Sequence, residues 1–378
     1  MRATNRRNLL AGVAVTALSA RLAGASTPVA SPQPIPGGSL PCGIKYDLGA
    51  ELARNEITRP TSHEPFYRDE LTAIRDQLHA TSVNLYGSDP DQIIAGLEIA
   101  ADLGFDISLQ TRLNFLPQSE MIDRLTAVAI EAERTRAEGI PVVLDVGCEY
   151  LLFADGLIEG DDFFEKLDVI SSGDVDWEAI IGRMAAMLQS LADTARAHFG
   201  GPITYADTPD MTFAWDAFDI ISIDHYLDSA TRPTYVETID SLAATGKPVW
   251  VAEFGSTPWR GASDAGGMAW DIVDYTANPP EIVDGIVRDE DDQARAIIDT
   301  LEYIGHSQAE RAYLYEFITT GSTRDSDPRY DYDLTGYGIV STWGPGHDQA
   351  YDTTGHWEPK VAFHHLAEWN RALTRSAP

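Results

Sequence analysis

Two glutamates stand where they could act on one substrate. Glu149 ends the apolar run Val142-Val143-Leu144-Asp145-Val146-Gly147-Cys148, and Glu253 ends Val249-Trp250-Val251-Ala252. Strand alternation places Val143, Asp145, Gly147 and Glu149 on one face of the first run, and Val249, Val251 and Glu253 on one face of the second. A carboxylate buried at a strand end is costly unless it is paired or functional. Two of them facing each other across a mouth suit glycoside hydrolysis by double displacement. One, kept protonated, assists the leaving group; the other, ionised, attacks the anomeric carbon.

Something must bring those two strand ends together. Short β-branched runs begin at Ile44, Ser82, Asp106, Val142, Ile203, Ile220, Val249 and Ala312. Between them, apolar residues recur at helical spacing: Leu71/Ile74/Leu78, Ile93/Leu97/Ala100, Ile122/Leu125/Val128, Ile180/Met184/Met187/Leu191, Tyr235/Ile239/Leu242 and Ala296/Ile298/Leu301/Ile304. A final helix spans about 361–373. Gly139-Ile140-Pro141, Gly200-Gly201-Pro202 and Gly246-Lys247-Pro248 each read as a glycine closing a helix and a proline opening a strand. Eight such units predict a single α/β domain, a (β/α)₈ TIM barrel, with long loops after strands four, seven and eight. A doubly wound sheet is the rival, but Asp47-Leu48-Gly49-Ala50-Glu51 is no phosphate-binding glycine loop. Barrel enzymes carry their chemistry at the C-terminal strand ends, where both glutamates fall.

Val249-Trp250-Val251-Ala252-Glu253-Phe254-Gly255 resembles the nucleophile strand of clan A retaining glycoside hydrolases. That resemblance implies Glu253 as nucleophile and Glu149, at the end of strand four, as acid/base. In most of the clan an Asn precedes the acid/base and binds the sugar 2-hydroxyl; here the residue is Cys148. Asp219-Ile220-Ile221-Ser222-Ile223-Asp224-His225-Tyr226 resembles the sixth strand, where a Tyr or His meets the nucleophile. Gly336-Tyr337-Gly338-Ile339-Val340 and Glu358-Pro359-Lys360-Val361-Ala362-Phe363 resemble the passage from strand eight to the last helix. The likeness covers about residues 43–373. Cys148-Glu149-Tyr150-Leu151-Leu152-Phe153 also resembles, more faintly, bacterial barrel proteins labelled abortive-infection (phage resistance) proteins.

The expected activity is an exported glycosidase cleaving O-glycosidic bonds of an oligo- or polysaccharide. Tyr226, His225, Arg112, Asp47, Asn84, Tyr86, Asp207 and Trp259 are the candidate substrate-binding residues, since all sit at or after C-terminal strand ends. Each has a plainer reading as packing or as a salt bridge. Aromatics in the loops 256–289 and 319–357 suit stacking on sugars, although most are expected to anchor the loops. No metal and no cofactor is called for: Asp325-Ser326-Asp327 lacks the glycine and glutamate of a calcium loop, and His364-His365 diverge on a helix. The alternative class is a non-catalytic glycan-binding or phage-defence barrel. A lyase or isomerase would need a lysine or metal at a strand end, and Lys45 is placed beneath or beside an inward-facing Tyr46.

Composition narrows the partners. Lys and Arg total 27 against 59 Asp and Glu, a formal net charge of −32. This field repels nucleic acid and anionic lipid. Asn5-Arg6-Arg7-Asn8-Leu9-Leu10, the apolar stretch to Leu18 and Ala23-Gly24-Ala25 read as a twin-arginine-like signal peptide over 1–25. Residues 26–41 read as a disordered Pro/Ser/Gly linker, leaving 42–378 as the barrel. A secreted, cell-surface or periplasmic location follows, without a membrane span. Cys42 and Cys148 fall at opposite ends of the barrel and are expected to stay free thiols.

Overall fold

A computed structural model describes residues 40–173 and 175–374, so the expected signal peptide and most of the expected linker lie outside the described residues. Eight parallel strands close into a barrel in sequence order. They are β1 (Cys42–Asp47), β2 (Ser82–Gly87), β3 (Asp106–Thr111), β4 (Val142–Cys148), β5 (Ile203–Asp207), β6 (Ile221–Asp224), β7 (Val249–Phe254) and β8 (Ala309–Leu314). β1 pairs with both β2 and β8, which completes the ring.

Amphipathic helices pack their apolar faces on the outside of the strands: α1 (Glu64–Asp76), α2 (Pro90–Asp102), α3 (Gln118–Ala137), α4 (Trp177–His198), α5 (Tyr235–Ala243), α6 (Glu290–Gly305) and α7 (Val361–Thr374). Local chemistry sets their starts. The Asp89 carboxylate accepts from the Asp91 and Gln92 amides ahead of α2, and Asp176 and Asp289 cap α4 and α6 in the same way. Gly139 and Gly246 adopt φ of 94° and 91° where helices turn into β4 and β7. The Gly200-Gly201 pair needs no such conformation, because α4 ends on an extended Phe199.

One expected unit differs. β5 and β6 are joined by a 3-10 turn over Thr212–Trp215 rather than an α-helix. Trp215 covers that stretch of wall, its indole N–H donating to the Tyr205 carbonyl at 2.8 Å. Just ahead of β1, Leu40 packs on the core and its carbonyl accepts from the Trp369 indole.

The barrel interior is mixed rather than oily. Val143, Ile220, Trp250 and Tyr313 form one small apolar cluster, and Cys148, Ala206 and Ala252 form another nearer the strand ends. Polar pairs cross between them: Asn84 to Ser108 at 2.8 Å, Thr204 to Ser222 at 2.8 Å and Gln110 to Asp145 at 2.6 Å. Buried polar groups are tolerable because they are bonded to one another. The loops after β4, β7 and β8 cover the mouth. Trp270 packs against Phe163 and Phe164, and the Tyr337 hydroxyl donates to the Gly266 carbonyl at 3.0 Å. Both aromatics anchor the loops. Among the described residues, no helix is long and apolar enough to cross a membrane.

Candidate active site

Glu253 faces the interior, but simple alternation does not put it there. Trp250 and Ala252 belong to the interior clusters, while Val249 and Val251 pack in the outer shell. The register against β6 then slips between Val251 and Glu253, opposite Ile223 and Asp224. This bulge reverses the phase and turns Glu253 inward. β4 does the same: three residues from Asp145 to Cys148 span two on β5, so Cys148, rather than Gly147, faces the interior. Gly147 is required there, since a Cβ would meet the Tyr150 ring at 2.2 Å. Glu149 follows in a left-handed conformation at φ 49°, unusual for a residue with a side chain.

Three donors hold the Glu253 carboxylate. Lys45 Nζ lies 2.8 Å and Arg112 Nη2 3.1 Å from Oε2, and the Tyr226 hydroxyl donates to Oε1 at 2.9 Å. Both cations grip one oxygen; the other keeps a lone pair free of charge pairing. Arg112 is itself steadied by Gln110, whose Oε1 accepts from Nε at 2.9 Å and whose amide donates to Asp145. The Tyr86 ring lies 5.8 Å from Lys45 Nζ and 5.3 Å from the Arg112 guanidinium, an attractive arrangement for both cations.

Lys45 corrects one expectation. It points into the barrel, whereas Tyr46 points outward to Glu70 and Tyr67 of α1. It is no amine available for Schiff-base chemistry, however. Burial lowers its pKa, but the charges of Glu253 and then Asp224 turn the net shift upward.

The mouth holds more negative groups than its two cations can balance. Burial, followed by the charges of Asp224, Glu253 and Asp207, pushes the Glu149 carboxyl well above the usual carboxylate range. Asp224 is pushed up to about 6 by burial and by Glu253. Burial carries Asp145 and Asp207 to about 7 and Glu316 to about 8. Burial and the neighbouring carboxyls therefore favour the protonated form of Glu149, while Lys45 and Arg112 hold the Glu253 carboxylate.

The other sequence candidates separate by position. Tyr226, Arg112 and Tyr86 join the Glu253 cluster, Tyr86 also donating to Glu316 Oε2. Asn84 sits lower in the interior beside Ser108. Asp47 caps its own turn, accepting from the Gly49 amide at 2.8 Å. Asp207 accepts from the Tyr205 hydroxyl at 2.7 Å and from the Thr208 amide, and its charge reaches Glu149. His225 lies on the outer face of β6, stacked 4.0 Å from Tyr235 of α5, and burial lowers its pKa to about 3. Trp259 anchors the β7 loop, its indole donating to the Ala269 carbonyl at 2.9 Å.

Sequence reasoning missed Lys45, Asp224 and Glu316 as mouth residues. Lys45 and Asp224 were legible only through alternation along β1 and β6, and Glu316 lies two residues beyond β8. Cys148, Asp224 and Glu253 each offer a ligand atom within 4.8 Å of the others. A metal ion there would have to share Glu253 with Lys45 and Arg112, whose charges oppose it, so the cluster suits protons better than a cation. Both thiols are free and buried.

No family model and no curated protein matches the chain. Solved structures do. A GH113 beta-1,4-mannanase superimposes with a TM-score of 0.56 at 15% identity, covering 88% of this chain and 99% of that one. The GH113 beta-mannanase AaManA from Alicyclobacillus acidocaldarius gives 0.53 at 16% identity, over 90% and 100%. A beta-glucuronidase of Bacteroides uniformis gives 0.53 at 14% identity, over 86% of this chain and 34% of that larger one. At such identities the likeness is one of fold: the chain is a (β/α)₈ barrel of the kind these glycoside hydrolases use.

Proposed function

We propose that the chain is a retaining glycoside hydrolase acting on β-linked oligo- or polysaccharides, with Glu253 as nucleophile and Glu149 as acid/base. The observation that carries this reading is the asymmetric grip on Glu253. Lys45 and Arg112 hold Oε2, Tyr226 orients Oε1, and Glu149 is kept protonated by its surroundings. Oε1 attacks the anomeric carbon while Glu149 protonates the departing oxygen. Glu149, then ionised, takes a proton from water, which releases the sugar from Glu253. Barrels with this fold include a beta-1,4-mannanase and a beta-glucuronidase. Neutral hexosides fit better than uronic acids, because both mouth cations are already engaged by Glu253 and the surrounding groups are carboxyls. Export through the twin-arginine route, read from residues 1–25, supplies such an enzyme to extracellular glycan.

A non-catalytic glycan-binding or phage-defence barrel is the second reading. Its support is that Glu253 is fully buried against Arg112 and Lys45, as a structural carboxylate would be. Proton NMR of the first sugar released from aryl β-glycosides separates the two. The hydrolase reading predicts the β-anomer first, with no turnover by Glu253→Gln. Release of the α-anomer, or binding to glycan without turnover, overturns it.

A further inference from the structure

Asp224 closes β6 at the centre of this site, and the double-displacement scheme gives it no part. It is 5% exposed. Its Oδ2 accepts from the Cys148 thiol at 3.0 Å, yet its Oδ1 is buried with no hydrogen-bond partner among the described residues. A buried acceptor without a donor costs free energy that a bonded one does not. The pairing with Cys148 occupies one oxygen and leaves the other unpartnered.

The geometry defines that group. Asp224 offers an oxygen within 4.8 Å of both a Glu253 oxygen and the Cys148 sulfur. A nucleophile meets its reacting carbon at about 3–3.5 Å. A carboxylate so close to Glu253 therefore reaches that carbon's immediate neighbours in the sugar. The ring oxygen and the glycosidic oxygen carry no proton to donate; the hydroxyl on the adjacent carbon does. Resting on the hydrolase reading, we propose that Asp224 is a catalytic residue whose Oδ1 accepts a hydrogen bond from the hydroxyl next to the anomeric carbon.

This bond gains strength as the reaction proceeds. Positive charge developing on the ring makes the neighbouring hydroxyl a better donor, so the contact favours the transition state over bound substrate and appears in kcat more than in KM. It also makes Asp224 a specificity determinant, because a sugar lacking the hydroxyl leaves the buried oxygen unsatisfied.

The test compares 4-nitrophenyl β-mannoside and β-glucoside with the 2-deoxy glycoside that both become when the hydroxyl is removed. The wild type, Asp224→Ala and Asp224→Asn are assayed on each. Asp224→Ala is expected to lower kcat/KM about 100-fold on the hydroxylated substrates, mainly through kcat, and by less than about threefold on the deoxy sugar. Asp224→Asn keeps the shape and one acceptor oxygen. It carries the same comparison with about a tenfold loss confined to hydroxylated substrates, should the alanine variant fold poorly. Equal losses on all three sugars would mark Asp224 as structural and overturn the proposal while leaving the hydrolase reading intact. Wild-type protein that cleaves no aryl glycoside and no polysaccharide would remove both.

Discussion

Lys45 gives the sharpest quantitative test of how the site is held. Its ammonium lies 2.8 Å from Glu253 Oε2, and both side chains are essentially inaccessible to water. At an effective dielectric of about 20, charges at that distance attract by about 6 kcal/mol. Part of this offsets the desolvation of both groups, and breaking such a pair from one side typically costs about 3–5 kcal/mol. Arg112, 3.1 Å from the same oxygen, remains and partly compensates, so Lys45→Met should fall near the lower end of that range. The cost depends on the Glu253 charge. In a Glu253→Gln background, Lys45→Met should become much cheaper, and the double-mutant cycle should show a coupling of at least about 2 kcal/mol. Urea unfolding of the four proteins at a common slope measures it. Changes that simply add, to within about 0.5 kcal/mol, would refute the claim that Lys45 serves an ionised Glu253.

Other consequences follow from the same geometry. Glu149→Ala should lose about 10²–10⁴ in kcat/KM on glycosides with poor leaving groups, far less on activated aryl glycosides, with azide restoring turnover as a glycosyl azide. Tyr226→Phe removes a 2.9 Å bond to a charged oxygen and should cost about 1.5–3 kcal/mol of transition-state stabilisation in kcat/KM, whereas His225→Phe, on the outer wall, should leave kcat/KM unchanged. Burial raises Asp145 and Asp207 from 3.8 to about 7, so the folded chain holds more protons than the unfolded one between those values. Stability from these groups is full below about pH 3.8 and declines as pH rises to about 7; the urea midpoint should fall from pH 4.5 to 7.5, less steeply in Asp207→Asn. Burial pushes the Cys42 thiol up to about 12 and also raises that of Cys148. An aromatic disulfide reagent at pH 8 should therefore label neither cysteine in native protein and both in guanidinium.

Much of this architecture is legible in the sequence, because barrel strands and helices each announce themselves by short-range periodicity. All eight strands lie where the apolar runs place them, and the seven helical patterns form helices. The β5–β6 crossover is harder: the run 212–215 is too short to show helical periodicity, and Trp215 does the covering by bulk. Glu253 faces inward as expected, but through a bulge that reverses the alternation, and bulges leave no reliable sequence mark. Lys45 was hidden for another reason. A lysine at an inward position looks wrong until its partner Glu253, 208 residues away, is known. His225 is the converse, adjacent to a site residue yet on the opposite face of its strand. Asp224 was hidden because its meaning depends on Cys148 and Glu253, which two other strands contribute.

The central claim is that Glu253 forms a covalent bond to sugar. Its most direct test is to incubate the protein and Glu253→Gln with cyclophellitol-type epoxides of gluco and manno configuration, then record intact mass and map the labelled peptide. The account predicts one sugar adduct on wild type, located at Glu253 and absent from the variant. An adduct on another residue, or an equal adduct on Glu253→Gln, would contradict it.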